Sequence, residues 1–184
     1  MNTARELKRT RLGYIPHDWE IKKLDEIALV TMGQSPKSEN YNENKEGLPL
    51  IQGNADCEKR YTNPRLWTTQ ITKTCNVGDI ILTVRAPVGY VSKSLHYACI
   101  GRGVCSIRSK ENQDYLYYYL INYENKWKRI SQGSTFESIN SDDIKKIDIL
   151  LPPLKEQNKI ASILSTWDKA IELKEKLIEQ KKEL

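Results

Sequence analysis

Polar and basic side chains suited to nucleic-acid recognition occur in short segments that separate apolar runs. Amide and guanidinium groups can pair with base edges, while lysine and hydroxyl groups bind phosphates. The candidates are Gln34, Ser35, Lys37, Gln52, Asn54, Arg60, Tyr61, Arg85, Arg102, Ser134 and Thr135. Several of them lie beside a glycine, where a ligand or another backbone can approach closely. The pattern predicts a polyanion-binding surface made of loops.

Two of these segments have alternative interpretations. The polar stretch from Ser38 to Gly47 predicts a long surface loop, which is either functional or a tolerated insertion. The stretch from Lys59 to Trp67 interleaves basic and aromatic residues, as nucleic-acid-binding segments do. Tyr61 and Trp67 could equally be core residues beside solvated arginines. Both alternatives remain open.

Catalytic and metal-binding motifs are absent from the sequence. It contains no Gly-x-x-x-x-Gly-Lys-Ser/Thr loop and no Gly-x-Gly-x-x-Gly motif after a strand. His17 and His96 are the only histidines, and neither belongs to a recognisable nucleophilic motif. The cysteines, at positions 57, 75, 99 and 105, lack the close spacing of structural zinc ligands. We therefore predict no catalytic residue, no metal site and no cofactor.

The elements that would position the candidate loops follow from apolar patterning. Residues 28–32, 48–52, 80–84 and 147–151 predict strands. Residues 98–107 predict a strand with either a bulge or a site of close backbone approach at Gly101-Arg102-Gly103. A helix should follow Asn112, and a short helix should follow Ser141. Pro152 and Pro153 end the last strand, because proline fixes φ and removes a backbone donor.

A long helix is predicted from Glu156 to Leu184, with an apolar stripe at three-and-four spacing. We expect a coiled-coil-type dimer interface formed by Ile160, Ile163, Leu164, Trp167, Ile171, Leu177, Ile178 and Leu184. The alternative is a helix that folds back on its own domain. Self-association is favoured, because no further element follows in the sequence to cover the stripe.

Composition supports a core-forming chain of one domain and an appendage. The 184 residues are 39% hydrophobic, with a net charge of +5. The segment from Lys155 onward is nearly balanced, so the positive excess lies in the first 154 residues and is compatible with a polyanion partner. We predict a mobile basic arm over residues 1–12, a domain over 13–154 and a spacer helix over 155–184. No signal peptide or membrane span is evident, which predicts a cytoplasmic location.

The order of several motifs resembles the DNA specificity subunits of type I restriction-modification enzymes. The resemblance covers Gly13 to Leu184 and is strongest at the hinge Leu151-Pro152-Pro153-Leu154-Lys155-Glu156-Gln157. The other matching motifs are Gly13-Tyr14-Ile15-Pro16 with Trp19, Gly33-Gln34-Ser35-Pro36, Gly78-Asp79-Ile80-Ile81-Leu82 with Arg85 and Gly89, Gly133-Ser134-Thr135, and Asp143-Ile144.

The resemblance implies an α+β fold: a compact target-recognition domain with a twisted β-sheet and flanking helices, followed by a spacer helix. Family members usually carry two such units with antiparallel helices, whereas this sequence holds one. It is therefore either a natural half-subunit that dimerises or a fragment of a longer chain. A homodimer would have twofold symmetry and would recognise an interrupted palindrome.

The implied partners are double-stranded DNA, methyltransferase subunits and an ATP-dependent restriction endonuclease that translocates DNA. Catalysis would belong to those subunits and not to this chain. Gln34, Ser35, Lys37, Arg85, Ser134 and Thr135 match family motif positions, whereas the other candidates rest on chemistry alone. The alternatives are the recognition domain of a type II restriction-modification enzyme and a stand-alone dimeric DNA-binding regulator.

Overall fold

The computed structural model describes residues 6–132 and 138–182. Its strands, in chain order, are β1 Leu7–Thr10, β2 Gly13–Pro16, β3 Glu20–Lys23, β4 Ala28–Met32, β5 Tyr41–Asn42, β6 Leu48–Ile51, β7 Cys57–Glu58, β8 Tyr61–Thr62, β9 Leu66–Thr68, β10 Thr74–Cys75, β11 Ile80–Thr83, β12 Val91–Lys93, β13 Ala98–Ile100, β14 Val104–Ser109 and β15 Asp148–Leu151. The α-helices are α1 Leu24–Ile27, α2 Gln113–Gln132, α3 Ser141–Lys145 and α4 Leu154–Lys182. Short 3₁₀ turns cover Ser38–Asn40 and Asn54–Asp56.

Two larger sheets dominate the described residues. One has the strand order β10-β13-β6-β9-β5, and the other has the order β4-β14-β11-β12-β8-β7. Two-stranded sheets pair β1 with β2 and β3 with β15. The mixture of sheets and separate helices confirms the α+β class and the long C-terminal helix.

The chain divides into two compact units. The first combines residues up to Ile21 with those from Leu150 onward, and the second spans Lys22–Ile149. This division differs from the expected domain over 13–154, because it groups β2 with α4. It also differs from the expected mobile arm, since residues 7–10 form β1 and pair with residues 13–16.

The core of the second unit lies between its two larger sheets. Its central cluster contains only buried residues, namely Ile51, Cys75, Ile81, Ala98, Ile100 and Val104. Strands β6, β10 and β13 contribute from one sheet, and β11 and β14 from the other. Helix α2 packs against β12 and β14, and it buries Leu116, Leu120 and Trp127. These layers fix the strand ends that carry the candidate loops.

The structure decides between the two alternatives that the sequence left open for residues 98–107. They do not form a single bulged strand, because β13 and β14 belong to different sheets. Gly101, Arg102 and Gly103 form the connection between them, and the Val104 N–H donates to the Gly101 carbonyl at 3.2 Å. The bulge is wrong, because β13 pairs with β6 and β10 whereas β14 pairs with β4 and β11. The close backbone approach is confirmed at Gly101 and Gly103, which connect the two sheets.

The hinge at Pro152 and Pro153 is held within the first unit. The buried Gln157 side chain donates through Nε2 to the Pro152 carbonyl at 2.9 Å. Trp19 donates through Nε1 to Glu156 Oε2 at 3.0 Å. The first turn of α4 is thereby fixed, and Ala161 is the last residue of the described helix that is buried.

Candidate nucleic-acid interface

Glycines allow three chain segments to meet at one edge of the second unit. The Gly33 N–H donates to the Val104 carbonyl at 3.0 Å. A β-carbon on Gly33 would overlap the Gly101 carbonyl oxygen, and one on Gly103 would overlap the Gln52 carbonyl oxygen. Only glycine permits this closeness of backbones. We call the contact between Gly33, Gln52, Gly101 and Gly103 the glycine junction.

The backbone around the junction is fixed, while two long polar side chains stay exposed. The Arg102 N–H donates to Ser35 Oγ at 3.1 Å, and Thr72 Oγ1 donates to the Gln34 carbonyl. Gln34 and Arg102 are exposed, and no described residue forms a hydrogen bond with either side chain. The junction therefore presents an amide and a guanidinium group from a rigid backbone.

A buried carboxylate organises the segment that follows β6. Asp56 Oδ2 accepts the Gln52 N–H at 2.8 Å, and Asp56 Oδ1 accepts from Arg65 Nε at 3.0 Å. Asn54 begins the 3₁₀ turn that ends at Asp56, and it is half-buried. The Arg65 side chain is 65% exposed, so it places positive charge beside this segment. Gln52 and Asn54 thus belong to the same edge as Gln34 and Arg102.

Arg85 reaches the same edge from β11. The Val84 N–H donates to the Gly103 carbonyl at 2.9 Å, and this hydrogen bond places Arg85, the next residue, beside the Gly101–Gly103 connection. Arg85 is exposed and forms an antiparallel bridge with Ser138. Ser134 and Thr135, also predicted from the sequence, lie outside the described residues.

Lys37 lies farther along the loop that starts at Gly33. Its backbone N–H donates to Gln70 Oε1 at 2.8 Å, which anchors the loop. Its Nζ is 3.9 Å from Glu39 Oε1, and both side chains are exposed. Such a pair adds little to stability, so the lysine is available to a stronger anionic partner.

A polar pocket of about 320 Å³ lies on the sheet next to Thr72. Its lining includes Lys73 and the ion pair of Arg108 with Asp79, in which Nε and Nη2 donate to the two carboxylate oxygens at 2.7 and 2.8 Å. These hydrogen bonds raise the pKa of Arg108 above its ordinary value. Lys73 is exposed and carries the pocket's uncompensated positive charge.

Arg60 and Tyr61 lie in the β7–β8 hairpin and not at the glycine junction. The Arg60 guanidinium donates to both carboxylate oxygens of Glu124 on α2. Burial opposes the charge on Arg60, but the hydrogen bond and attraction of Glu124 outweigh it and raise the Arg60 pKa. Tyr61 is 36% exposed and is paired with Lys93 of β12. Arg60 is therefore engaged within the protein, whereas no described residue forms a hydrogen bond with the side chain of Arg85 or Arg102.

Comparison with known proteins assigns the chain to a family. The family model of the type I restriction modification DNA specificity domain matches residues 16–182. The chain belongs to this family. The match covers both the junction loops and α4, so the specificity-domain resemblance seen in the sequence is confirmed.

Relatives and solved structures agree with the family assignment. A protein provisionally assigned as the MjaX specificity subunit of a type I restriction enzyme from Methanocaldococcus jannaschii is 40% identical over 96% of this chain and 43% of its own length. The HsdS subunit from Thermoanaerobacter tengcongensis has a TM-score of 0.76 at 32% identity, over 89% of this chain and 40% of that one.

A second solved structure comes from work on the complex assembly and conformational transition of the type I R-M system. The matching chain has a TM-score of 0.81 at 33% identity, over 89% of this chain and 41% of its own length. The present chain thus spans about two fifths of the length of these relatives.

Within this specificity domain, the structure gathers part of the predicted surface. Gln34, Ser35, Gln52, Asn54, Arg85 and Arg102 lie at or beside the glycine junction. The sequence analysis did not single out three further basic residues of this region, namely Arg65, Lys73 and Arg108. The Lys59–Trp67 segment does contain Arg65, but nothing local distinguishes it from Arg60, whose ion-pair partner is distant in sequence.

The apolar stripe on α4 of the specificity domain is exposed beyond the first turns. Ile160 is half-buried, whereas Trp167 is 66% exposed. The other exposed members are Ile163, Leu164, Ile171, Leu177 and Ile178, and Leu173 is exposed as well. Leu184 lies outside the described residues. Over its described length the helix leaves an uncovered apolar face, as the sequence predicted.

Among the described residues, no helix combines the length and apolar character that a bilayer crossing requires. No group of three or more histidine, cysteine or acidic residues there is arranged to hold a metal ion.

Proposed function

We propose that this chain is the DNA-recognition part of a type I restriction-modification specificity subunit, and that it reads one half of a bipartite target. The observation that carries the proposal is the glycine junction. It holds several loops at one edge and leaves polar side chains exposed there. Family membership supports DNA as the ligand.

The chemistry of the polar groups at this edge suits base edges. Arginine pairs with guanine through two hydrogen bonds, and glutamine or asparagine pairs with adenine in the same way. Gln34, Gln52, Asn54, Arg85 and Arg102 supply both types of group, and their rigid backbone limits the entropy lost on binding. We propose that these five residues read bases, and we call them the reading edge. Ser35 supports the Arg102 backbone.

Positive charge around the edge suits the phosphate backbone. Lys37, Arg65 and Lys73 are exposed on segments that adjoin the junction. Phosphate contacts give affinity and orientation without sequence information. We therefore assign phosphate contacts to these three residues, while Tyr61, Ser134 and Thr135 remain candidates.

The chain itself is non-catalytic in this proposal. Methyltransferase subunits supply the transfer chemistry, and a restriction subunit supplies ATP-dependent translocation and cleavage. The specificity chain selects the DNA sequence at which they act. It binds neither of their cofactors.

We further propose that α4 pairs with a second copy of the chain. The exposed stripe carries large apolar side chains at heptad-like spacing, and the charged residues between them are nearly balanced in sign. A twofold pair would present two identical reading edges in opposite orientation. The target would then be an interrupted palindrome whose gap depends on helix length.

A methylation map of the host genome, with this gene present and deleted, tests the function. We expect one interrupted motif to lose methylation on deletion. A palindromic motif supports the homodimer, whereas an asymmetric motif contradicts it and leaves DNA recognition intact. An unchanged methylation pattern would overturn the proposed function.

A further inference from the structure

The turn between β7 and β8 has an unusual backbone for its residues. Cys57 pairs with Thr62 and Glu58 with Tyr61, so Lys59 and Arg60 form a two-residue turn. Their φ angles are +45° and +71°, a region that asparagine and glycine favour in such turns. Long side chains at both positions oppose this conformation. Contacts elsewhere must therefore hold the turn.

Arg60 provides those contacts through both its backbone and its side chain. Its N–H donates to Tyr90 Oη at 3.1 Å, and its Nη1 donates to the Val91 carbonyl at 3.1 Å. The guanidinium carbon lies 4.8 Å from the centre of the Tyr90 ring, a cation–π geometry. The same guanidinium forms the two-pronged ion pair with Glu124.

Glu124 joins three elements through one carboxylate. Besides Arg60, its Oε1 accepts the Val91 N–H at 2.9 Å, so α2, β12 and the hairpin turn share this group. The side chains of Arg60 and Glu124 are 36% and 19% exposed. A partly buried bidentate pair is stronger and more directional than a surface pair, and loss of either partner leaves the other charge unpaired.

The hairpin is coupled to the reading edge by the residue that precedes it. Asp56 accepts the Gln52 N–H at the glycine junction, and its carbonyl accepts the Asn63 N–H at 2.8 Å just after the hairpin. A displacement of the hairpin would therefore move the segment that carries Gln52 and Asn54. This links Glu124, on the helix, to the position of two proposed base-reading side chains.

We propose that Arg60 and Glu124 are a positioning pair that sets the geometry of the reading edge, and that Arg60 does not read DNA. The role rests on the proposed function, because it concerns the affinity and specificity of DNA binding. It replaces the base-reading role that the sequence suggested for Arg60. It also assigns a recognition effect to Glu124, an acidic residue that cannot attract a polyanion.

The sign of the Glu124→Gln effect separates the two roles of Arg60. This change removes a negative charge and frees the guanidinium. If Arg60 reads DNA, the Glu124→Gln variant should therefore bind the specific DNA duplex as tightly as wild type or more tightly. A positioning pair predicts weaker binding, by about tenfold, for both Glu124→Gln and Arg60→Met. The double variant should bind no more weakly than either single variant, since one interaction is lost. Glu111→Gln, which neutralises an exposed carboxylate just before α2, is the matched charge control and should not weaken binding.

Salt dependence adds a second readout on the same duplex. Loss of a phosphate contact reduces the slope of log affinity against log salt by about one, whereas loss of a positioning pair leaves the slope unchanged. We expect an unchanged slope for Arg60→Met. A reduced slope for Arg60→Met, or unchanged affinity for Glu124→Gln, would overturn the proposal.

Hydrogen exchange of the DNA-free protein tests the pair independently of DNA. Peptides covering residues 57–63 and 90–94 should exchange faster in Glu124→Gln and Arg60→Met than in wild type or Glu111→Gln. Equal exchange in all four proteins would overturn the positioning pair. If the two variants exchange faster but wild type binds no specific duplex, the proposed function is refuted and the structural role of the pair is retained.

Discussion

The glycine junction and the outer part of α4 both expose side chains, but they differ in chemistry and in support. At the junction, several strand ends contact one another through backbone atoms, and the exposed groups are amides and guanidinium groups. On α4 beyond Ala161, the described helix has no buried residue, and the exposed groups are large and apolar. One surface suits a polyanion and the other suits a protein helix.

The difference shows that the two surfaces depend on their partners in different ways. The junction is fixed by the core of its own unit, so its geometry exists before any ligand binds. The apolar stripe gains stability only when another surface covers it, because exposed apolar area is unfavourable in water. Substitutions can therefore alter each surface separately.

Substitution at Gly33 should have the largest effect. In Gly33→Ala the new β-carbon overlaps the backbone oxygens of Gly101 and Val104, which cannot move without displacing their strands. We expect a loss of about 3 kcal/mol or more in the free energy of unfolding, measured by urea denaturation. Gly53→Ala is the control, since nothing lies within 4 Å of its β-carbon position. Equal stability of the two variants would show that the junction is not tightly packed.

A charge on the α4 stripe should dissociate the proposed dimer. Ile171→Asp removes a large apolar side chain from the stripe, and we expect association to weaken by about 2–3 kcal/mol. Sedimentation equilibrium would measure the change. Lys169→Asp introduces the same residue away from the stripe and serves as the control. A monomeric wild type would contradict the homodimer but would leave the reading edge unaffected.

The arginines at the junction should matter more for DNA binding than a lysine on α4. Arg85→Ala and Arg102→Ala should each weaken binding of the specific duplex by about 1–3 kcal/mol if they hold base edges. Fluorescence anisotropy at fixed salt would measure this. Lys155→Ala, on the exposed side of α4, is the control for loss of one positive charge. Equal affinities for all three variants would remove both arginines from the reading surface.

The smallest effect is expected at the polar pocket. Lys73→Ala should weaken specific and non-specific duplexes equally, by roughly 1 kcal/mol, because a phosphate contact carries no sequence information. The slope of log affinity against log salt should fall by about one. Thr74→Ala changes the same lining without changing the charge and is the control. A loss confined to the specific duplex would assign base reading to Lys73.

Sequence reasoning succeeded where local signals determine structure. The strand at residues 28–32 was predicted with its observed bounds, and the Pro152-Pro153 hinge correctly separated β15 from α4. Prolines, turn residues and helical periodicity act over a few positions, so they can be read directly. The α+β class and the long helix followed from the same signals together with the family resemblance.

The features that the sequence did not reveal are contacts between distant residues. Glu124 pairs with Arg60 across 64 positions, so no local pattern distinguishes that arginine from Arg102. The apolar residues on both sides of Gly101-Arg102-Gly103 hid the crossing between two sheets, because both strands lie largely in the core. Likewise, Gly101 was predicted to lie at a bulge or a close backbone approach, but its contact with Gly33 depends on the assembled core.

The most direct test of the reading edge compares the duplexes selected from a random library by wild type and by Arg102→Ala. We predict that wild type enriches a defined half-site and that the variant loses base preference at one or two positions while retaining it elsewhere. Enrichment of the same half-site with undiminished preference at every position would contradict the assignment of Arg102, and with it the central role of the glycine junction.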